Sequence, residues 1–232
     1  MGSRWGYICM SNRWSGFLAQ EPVEAPVVTD AEVLDAVEVL RGVAGPQQGI
    51  LGLAAGEGMT RFLTDNPEVF WLGVHGGAGE NTMAELLGGV PCHHRWPSRS
   101  DTNPSTDPST DSSTDPSADG LVPPANVFLV ARQNHRGLKA AQLAARDWAA
   151  GAHPTISLRG LVVIADAPGK TPKALQNQTR ITAGGVPQTW VLPWIEEIRL
   201  HGAVDPESLA REPRKVLTSL SEVIDNLNSG RN

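Results

Sequence analysis

Residues 69–87 read Val69-Phe-Trp-Leu-Gly-Val-His75-Gly76-Gly77-Ala78-Gly79-Glu80-Asn81-Thr82-Met-Ala-Glu-Leu-Leu87. The order is a buried strand, a glycine-rich turn and a helix. Glycines let backbone N–H groups converge on one concave point, and the following helix adds the positive end of its dipole. A turn of this kind faces an anion. A strand feeding a helix through a short turn is also the repeating unit of α/β folds, so the expected fold class is α/β, with a mostly parallel sheet flanked by helices.

Residue by residue, the turn resembles the deviant Walker A motif of the ParA/MinD family of P-loop NTPases, which reads Lys-Gly-Gly-x-Gly-Lys-Thr-Thr/Ser. Gly76, Gly77, Gly79 and Thr82 match, with Ala78 at the variable place. Three positions depart. His75 stands where the signature lysine belongs, Glu80 where the phosphate-binding lysine belongs, and Asn81 where the magnesium-binding threonine belongs. The resemblance implies a degenerate P-loop fold with its ligand site over His75, Gly76, Gly77, Ala78, Gly79, Glu80, Asn81 and Thr82. Two unit charges about 4 Å apart at an effective dielectric of about 20 interact by roughly 4 kcal/mol, and Glu80 in place of a lysine reverses the sign of that term. Asn81 offers a carbonyl oxygen where the geometry wants a hydroxyl. The expectation is therefore a site without ordinary ATP hydrolysis, without catalytic residues and without a metal. Weak binding of ATP or another nucleotide through backbone amides is its remaining capacity.

Composition sets wider bounds. At 232 residues and 40% hydrophobic, the chain has enough apolar material for one domain with a real core. Its net charge of −6 argues against a protein that coats nucleic acid, so nucleic acid is not expected as a direct ligand. Cys9 and Cys92 stand far apart and suggest no disulfide framework, which fits a reducing cytoplasm. No apolar run is long enough to span a bilayer. The first ten residues lack the apolar core and cleavage site of a signal peptide, and a cytoplasmic location is expected.

Taken in order, residues 1–28 show no periodicity and read as a flexible tail. From 29 to 65 the expectation is a helix and a connector. Thr29 to Gly42 carries capping-box spacing at Thr29 and Glu32, then Val33, Leu34, Val37 and Leu40 on one face. Met59–Leu63 reads as a short helical turn. The α/β domain is expected over 66–227, with 228–232 frayed. Cys92, His93 and His94 are adjacent, and adjacent residues rarely chelate one ion, so a loop with a surface His pair is the reading there. Residues 98–124 repeat a Ser-Thr-Asp-Pro unit and read as a disordered acidic insertion. In ParA-like enzymes that interval carries the switch aspartates that sense the γ-phosphate. Their replacement is a second sign of lost hydrolysis.

Beyond the insertion, Ala125–Ala131 is a continuous apolar strand and Thr155–Ala165 another buried strand, and Gly137–Ala150 between them is a helix with Leu138, Ala141, Ala145 and Trp148 in one stripe. Gln188–Pro193 is a further strand, 195–200 begins a helix, and 213–227 is a final amphipathic helix. This half is similar to the late part of the ParA/MinD fold. The resemblance places Asp166 near the base-binding position, where the family has an asparagine. An aspartate there would favour amino or imino donors. The chain is also similar to uncharacterised actinobacterial proteins that share His75–Thr82, Val130-Ala131-Arg132, Ala165–Gly169 and Pro193-Trp194, and that tend to be found with plasmid and conjugative-element genes.

If the strands share one sheet, the glycine turn, Arg132 and Asp166 all lie at carboxyl ends, where open sheets bind ligands. Arg132 then meets an anion or pairs with Glu80, and Lys170 is the other candidate partner for Glu80. His75 donates to a phosphate or is held within the loop. Asp166 holds a base or caps the turn before Pro168. Trp190 and Trp194 read as core or interface. The functional expectation is a non-hydrolysing ParA/MinD-like protein, a scaffold or regulatory partner in mobile-element maintenance or transfer, acting through a protein partner or as a homodimer. The alternative is a nucleotide switch or ATPase completed by a partner subunit.

Overall fold

The apolar runs sit side by side. In chain order the elements are β1 (Leu40–Arg41), β2 (Arg61–Leu63), β3 (Phe70–Gly73), α1 (Glu80–Leu87), β4 (Val90–Pro91), β5 (Trp96–Ser98), β6 (Ala125–Arg132), α2 (His135–Ala149), β7 (Ile156–Ile164), α3 (Lys173–Ala183), β8 (Gln188–Leu192), α4 (Glu196–His201), a 3-10 turn (Pro206–Ser208) and α5 (Arg211–Ser229). The computed structural model describes residues 38–54, 56–64, 66, 68–99, 123–202 and 204–229.

Six strands form one sheet in the order β1-β8-β7-β6-β3-β4. Strands β4, β3, β6, β7 and β8 run parallel, and β1 closes the β8 edge antiparallel. The short pair β2 and β5 is a separate parallel ribbon. The chain leaves β3 in one direction to form β4, then crosses back to the other side of β3 for β6, β7 and β8. Reversal of this kind opens a crevice between the carboxyl ends of the first and third parallel strands, and such crevices are where doubly wound sheets bind ligands. Here those strands are β3 and β6.

Side-chain alternation along each strand divides the core in two. Phe70 and Leu72 of β3, Val127 and Leu129 of β6, and Leu161 and Val163 of β7 face Leu138, Ala141, Ala145 and Trp148 of α2. Trp71 of β3, Phe128 and Val130 of β6, Val162 of β7 and Trp190 of β8 face Met83 of α1 and Val216, Leu217, Leu220 and Ile224 of α5. Both faces are covered, which is why these strands carry apolar residues on both sides. On the α5 side an aromatic row crosses the sheet. The rings of Trp71 and Phe128 lie 5.1 Å apart, and those of Phe128 and Trp190 5.9 Å apart, although β7 runs between β6 and β8. Gly160 makes this possible. It is paired with Phe128 beside a bulge, and a Cβ there would come within 2.6 Å of the Trp190 ring.

Several expectations need correction. The helix expected over Thr29 to Gly42 does not reach its C-terminal end, because Leu40–Arg41 is strand β1, paired with Thr189 and Gln188. Gly42 explains the geometry: a Cβ there would sit 2.3 Å from Ala183 O, so only glycine lets the chain pass. Met59–Leu63 holds strand β2 rather than a helical turn. Residues 88–97 contain β4 and β5, and Cys92 within them is buried. Helix α3 was not anticipated. The expectations for residues 1–28, for 29–37, for 100–122 and for the last three positions lie outside the described residues.

Candidate functional site

Strand β3 ends at Gly73, and the turn that follows holds two glycines in left-handed backbone, Gly77 (φ 74°) and Gly79 (φ 104°). Few side chains tolerate such values, which explains the glycines. Gly79 is the N-cap of α1 and carries no side chain to bond the helix. The first-turn N–H groups of Glu80, Asn81 and Thr82 thus receive no capping oxygen from it.

Glu80 does not point at the mouth of the turn. Its Oε2 accepts the Gly73 N–H at 2.5 Å, and its Oε1 lies 3.8 Å from Nδ1 of His93. Neither Arg132 nor Lys170 pairs with it, contrary to expectation. The carboxylate has turned behind the loop, toward the 92–95 bend. That bend is held in place from the same side: His94 Nδ1 meets Gly73 O at 3.0 Å, and both His93 and His94 adopt positive φ. Burial, with the Glu80 charge adding to it, pushes the Cys92 thiol far above its usual range, which disfavours the reactive thiolate.

His75 is held within the loop. Its Nε2 accepts the Arg132 backbone N–H at 3.1 Å, which makes Nδ1 the protonated nitrogen, donating to Gly76 O at 2.9 Å. Both ring nitrogens are therefore used by the chain itself. Helix α2 packs against this arrangement at Gly137. A Cβ on Gly137 would lie 2.3 Å from Arg132 O and 2.9 Å from His75 Nε2.

Arg132 ends β6. Its Nε donates to Gly77 O and its Nη1 to Ala165 O, each at 3.3 Å, so the guanidinium ties the glycine turn to the end of β7. A guanidinium has five N–H donors, and these bonds use two of them. Asn134 caps α2 through Oδ1, which accepts the Gly137 N–H at 2.8 Å, while its Nδ2 donates to Asp166 Oδ2 at 3.2 Å. Gln133 secures the next layer, giving Nε2–H to Thr179 of α3 and accepting from Thr171.

These groups line a crevice of about 860 Å³ at the carboxyl edge of the sheet. Pockets of this size take cofactor-sized ligands. Of the ten residues expected to bind a ligand, the structure brings His75, Gly76, Gly77, Thr82, Arg132 and Asp166 to its wall. Ala78 is buried, Gly79 sits against Ile164, Glu80 faces the other way, and Asn81 does not line the crevice. The sequence reading missed Asn134, Arg136 and Arg199, which also line it, and it assigned Trp194 to core or interface. Trp190 is indeed core, but Trp194 stands half-buried on the crevice wall. The Pro193-Trp194 pair after a buried strand was the available signal.

A second polar pair lies at the other end of α2. His153 Nε2 and Asp147 Oδ2 are 2.8 Å apart, and the imidazole stacks on Trp96 at 4.3 Å. Desolvation lowers the His153 pKa, against the hydrogen bond and charge of Asp147 that raise it. Among the described residues no cluster of three His, Cys, Asp or Glu side chains is placed to hold a metal ion. No helix among them is long and apolar enough to cross a membrane.

Comparison with known proteins adds one finding. Residues 108–217 match a family of unknown function (DUF6668). The match covers just under half of the chain. It includes Arg132, Asn134, Asp166, Trp194 and Arg199 but not the glycine turn. No curated protein and no solved structure matches the chain.

Proposed function

We propose that the protein is a degenerate P-loop protein that binds a phosphate-bearing ligand of the nucleotide class between β3 and β6 without hydrolysing it. One observation carries this reading. The crevice is lined by Arg132, Arg136 and Arg199, while Glu80, whose charge would oppose an anion, is turned behind the loop onto Gly73. A chain of net charge −6 thus gathers three arginines along one cavity. The fixed amides and Arg132 supply attraction. The phosphate-binding lysine and the metal-holding hydroxyl of a working P-loop have no counterpart at Glu80 and Asn81, and this supports binding without turnover. The scaffold or regulatory role in mobile-element maintenance or transfer is the part of the proposal that rests on the ParA/MinD resemblance alone.

Calorimetry with inorganic pyrophosphate and with nucleotides, with and without magnesium, tests it, beside an assay of phosphate release. We expect binding by the natural chain, about tenfold weaker for Arg132→Ala, as loss of one hydrogen-bonded charge implies, and no phosphate release. Failure of every anion to bind would remove the reading. Steady release of phosphate would overturn the claim of a non-hydrolysing site.

A further inference from the structure

The crevice has two chemically distinct ends. One is polar and cationic, formed by the glycine turn and Arg132. The other, at the end of β8 and the start of α4, is apolar and carries Leu192, Trp194, Ile195 and Ile198. A simple anion fills only the first. The second calls for a flat apolar group carried by the same ligand.

Trp194 is prepared for stacking. Its Nε1–H donates to Glu196 Oε2 at 2.7 Å, which holds the indole in place, and the Arg199 guanidinium covers one face of the ring, 5.6 Å from its centroid, so a base would stack on the other. Asp166 is the one carboxylate among the described residues that line the crevice. Its Oδ2 takes the amide of Asn134, which orients the group and leaves further lone pairs exposed. An ionised carboxylate accepts hydrogen bonds and cannot donate one. Guanine presents two neighbouring donors on one edge, N1–H and the N2 amino group. The matching edge of adenine carries an amino donor next to a bare ring nitrogen, whose lone pair would face the carboxylate. A site with an unpaired polar group rejects such a ligand strongly.

We propose that the crevice selects a guanine nucleotide, with Asp166 reading the N1–H and N2 donors and Trp194 stacking on the base. This rests on the anion-site reading above. The test is calorimetric titration of the full chain with pyrophosphate, GDP and ADP, repeated for Asp166→Asn and Trp194→Ala, with circular dichroism to establish that each variant is folded. We expect GDP to bind at least about tenfold tighter than ADP, the loss of one charged hydrogen bond setting the scale. In Asp166→Asn the GDP-to-ADP ratio should fall to near one; because a ratio is read, a general weakening cancels. Trp194→Ala should weaken both nucleotides more than it weakens pyrophosphate. Equal binding of GDP and ADP by the natural chain, or a ratio untouched by Asp166→Asn, overturns the guanine assignment. If pyrophosphate binds in that case, only the guanine assignment falls. If pyrophosphate and both nucleotides fail together, the anion site falls with it.

Discussion

At the β3–α1 junction the N-cap is Gly79, in left-handed backbone and without a capping side chain; at the β6–α2 junction it is Asn134, extended, with Oδ1 on the Gly137 N–H. The two junctions stand on either side of the same crevice. The first leaves the amides of its helix start open. The second closes its own amide with a side chain and instead sends Arg132 across to Gly77 and Ala165. One junction offers backbone and the other offers charge. They are joined where His75 accepts the Arg132 N–H and where Gly137 lets α2 approach, so neither shape is independent of the other.

The largest effect should follow from filling the contact between them. In an ordinary helix Gly→Ala is stabilising by about 1 kcal/mol. At Gly137 the new Cβ would lie 2.3 Å from a backbone oxygen, which cannot yield. We expect Gly137→Ala to lose about 2–3 kcal/mol, seen as a fall in Tm of roughly 5–10 °C by circular dichroism. A rise in Tm would show that the junctions are not in contact. Next comes Glu80. Removing its carboxylate strands the buried Gly73 N–H, so Glu80→Ala should lose about 1–3 kcal/mol in urea unfolding, while Glu80→Gln, which keeps an acceptor, should lose less than half of that. Equal losses would mean that the charge, and not the acceptor, holds the loop. Smaller again is the cap. Asn134→Ala should lose about 1 kcal/mol and Asn134→Gly only a few tenths, because glycine also tolerates the cap position.

The smallest effect is a control away from both junctions. The folded-state pKa of His153 is lowered, chiefly by desolvation. The unfolded chain therefore binds a proton first as pH falls, and stability is full above the ordinary histidine value of about 6.5 and declines below it toward the folded value. Unfolding measured between pH 7 and pH 5 should show that decline, and His153→Gln should flatten it. A decline that persists in the variant would assign it elsewhere.

Sequence alone was a good guide where burial is complete on both faces. Strands β3, β6, β7 and β8 announce themselves as short segments rich in apolar residues, and α2 and α5 by an apolar stripe at helical spacing. It was a poor guide where packing uses small or polar groups. Helix α3 buries Thr179, Thr182 and Ala183 and leaves Ile181 exposed, so its apolar period is inverted. Strands β1 and β2 are two and three residues long, too short for any period to register. At the site, the glycine turn and Arg132 were legible because their residue types have few other uses. The direction of Glu80 was not, since it depends on a Gly73 amide and a histidine bend whose proximity only the folded chain creates. Trp194 shares the core-or-interface reading with Trp190, but it stands half-buried because the chain turns out of the sheet between them.

The gap at Gly160 has an optical consequence. By letting Phe128 reach Trp190, it assembles three aromatic rings from β3, β6 and β8 into one chromophore array in a chiral, rigid setting. The near-ultraviolet dichroism of this protein should therefore carry a strong signal from the sheet itself. A side chain at position 160 would uncouple the array and dim that signal while the helical far-ultraviolet spectrum stayed the same, giving a spectroscopic gauge of strand alignment that needs no label.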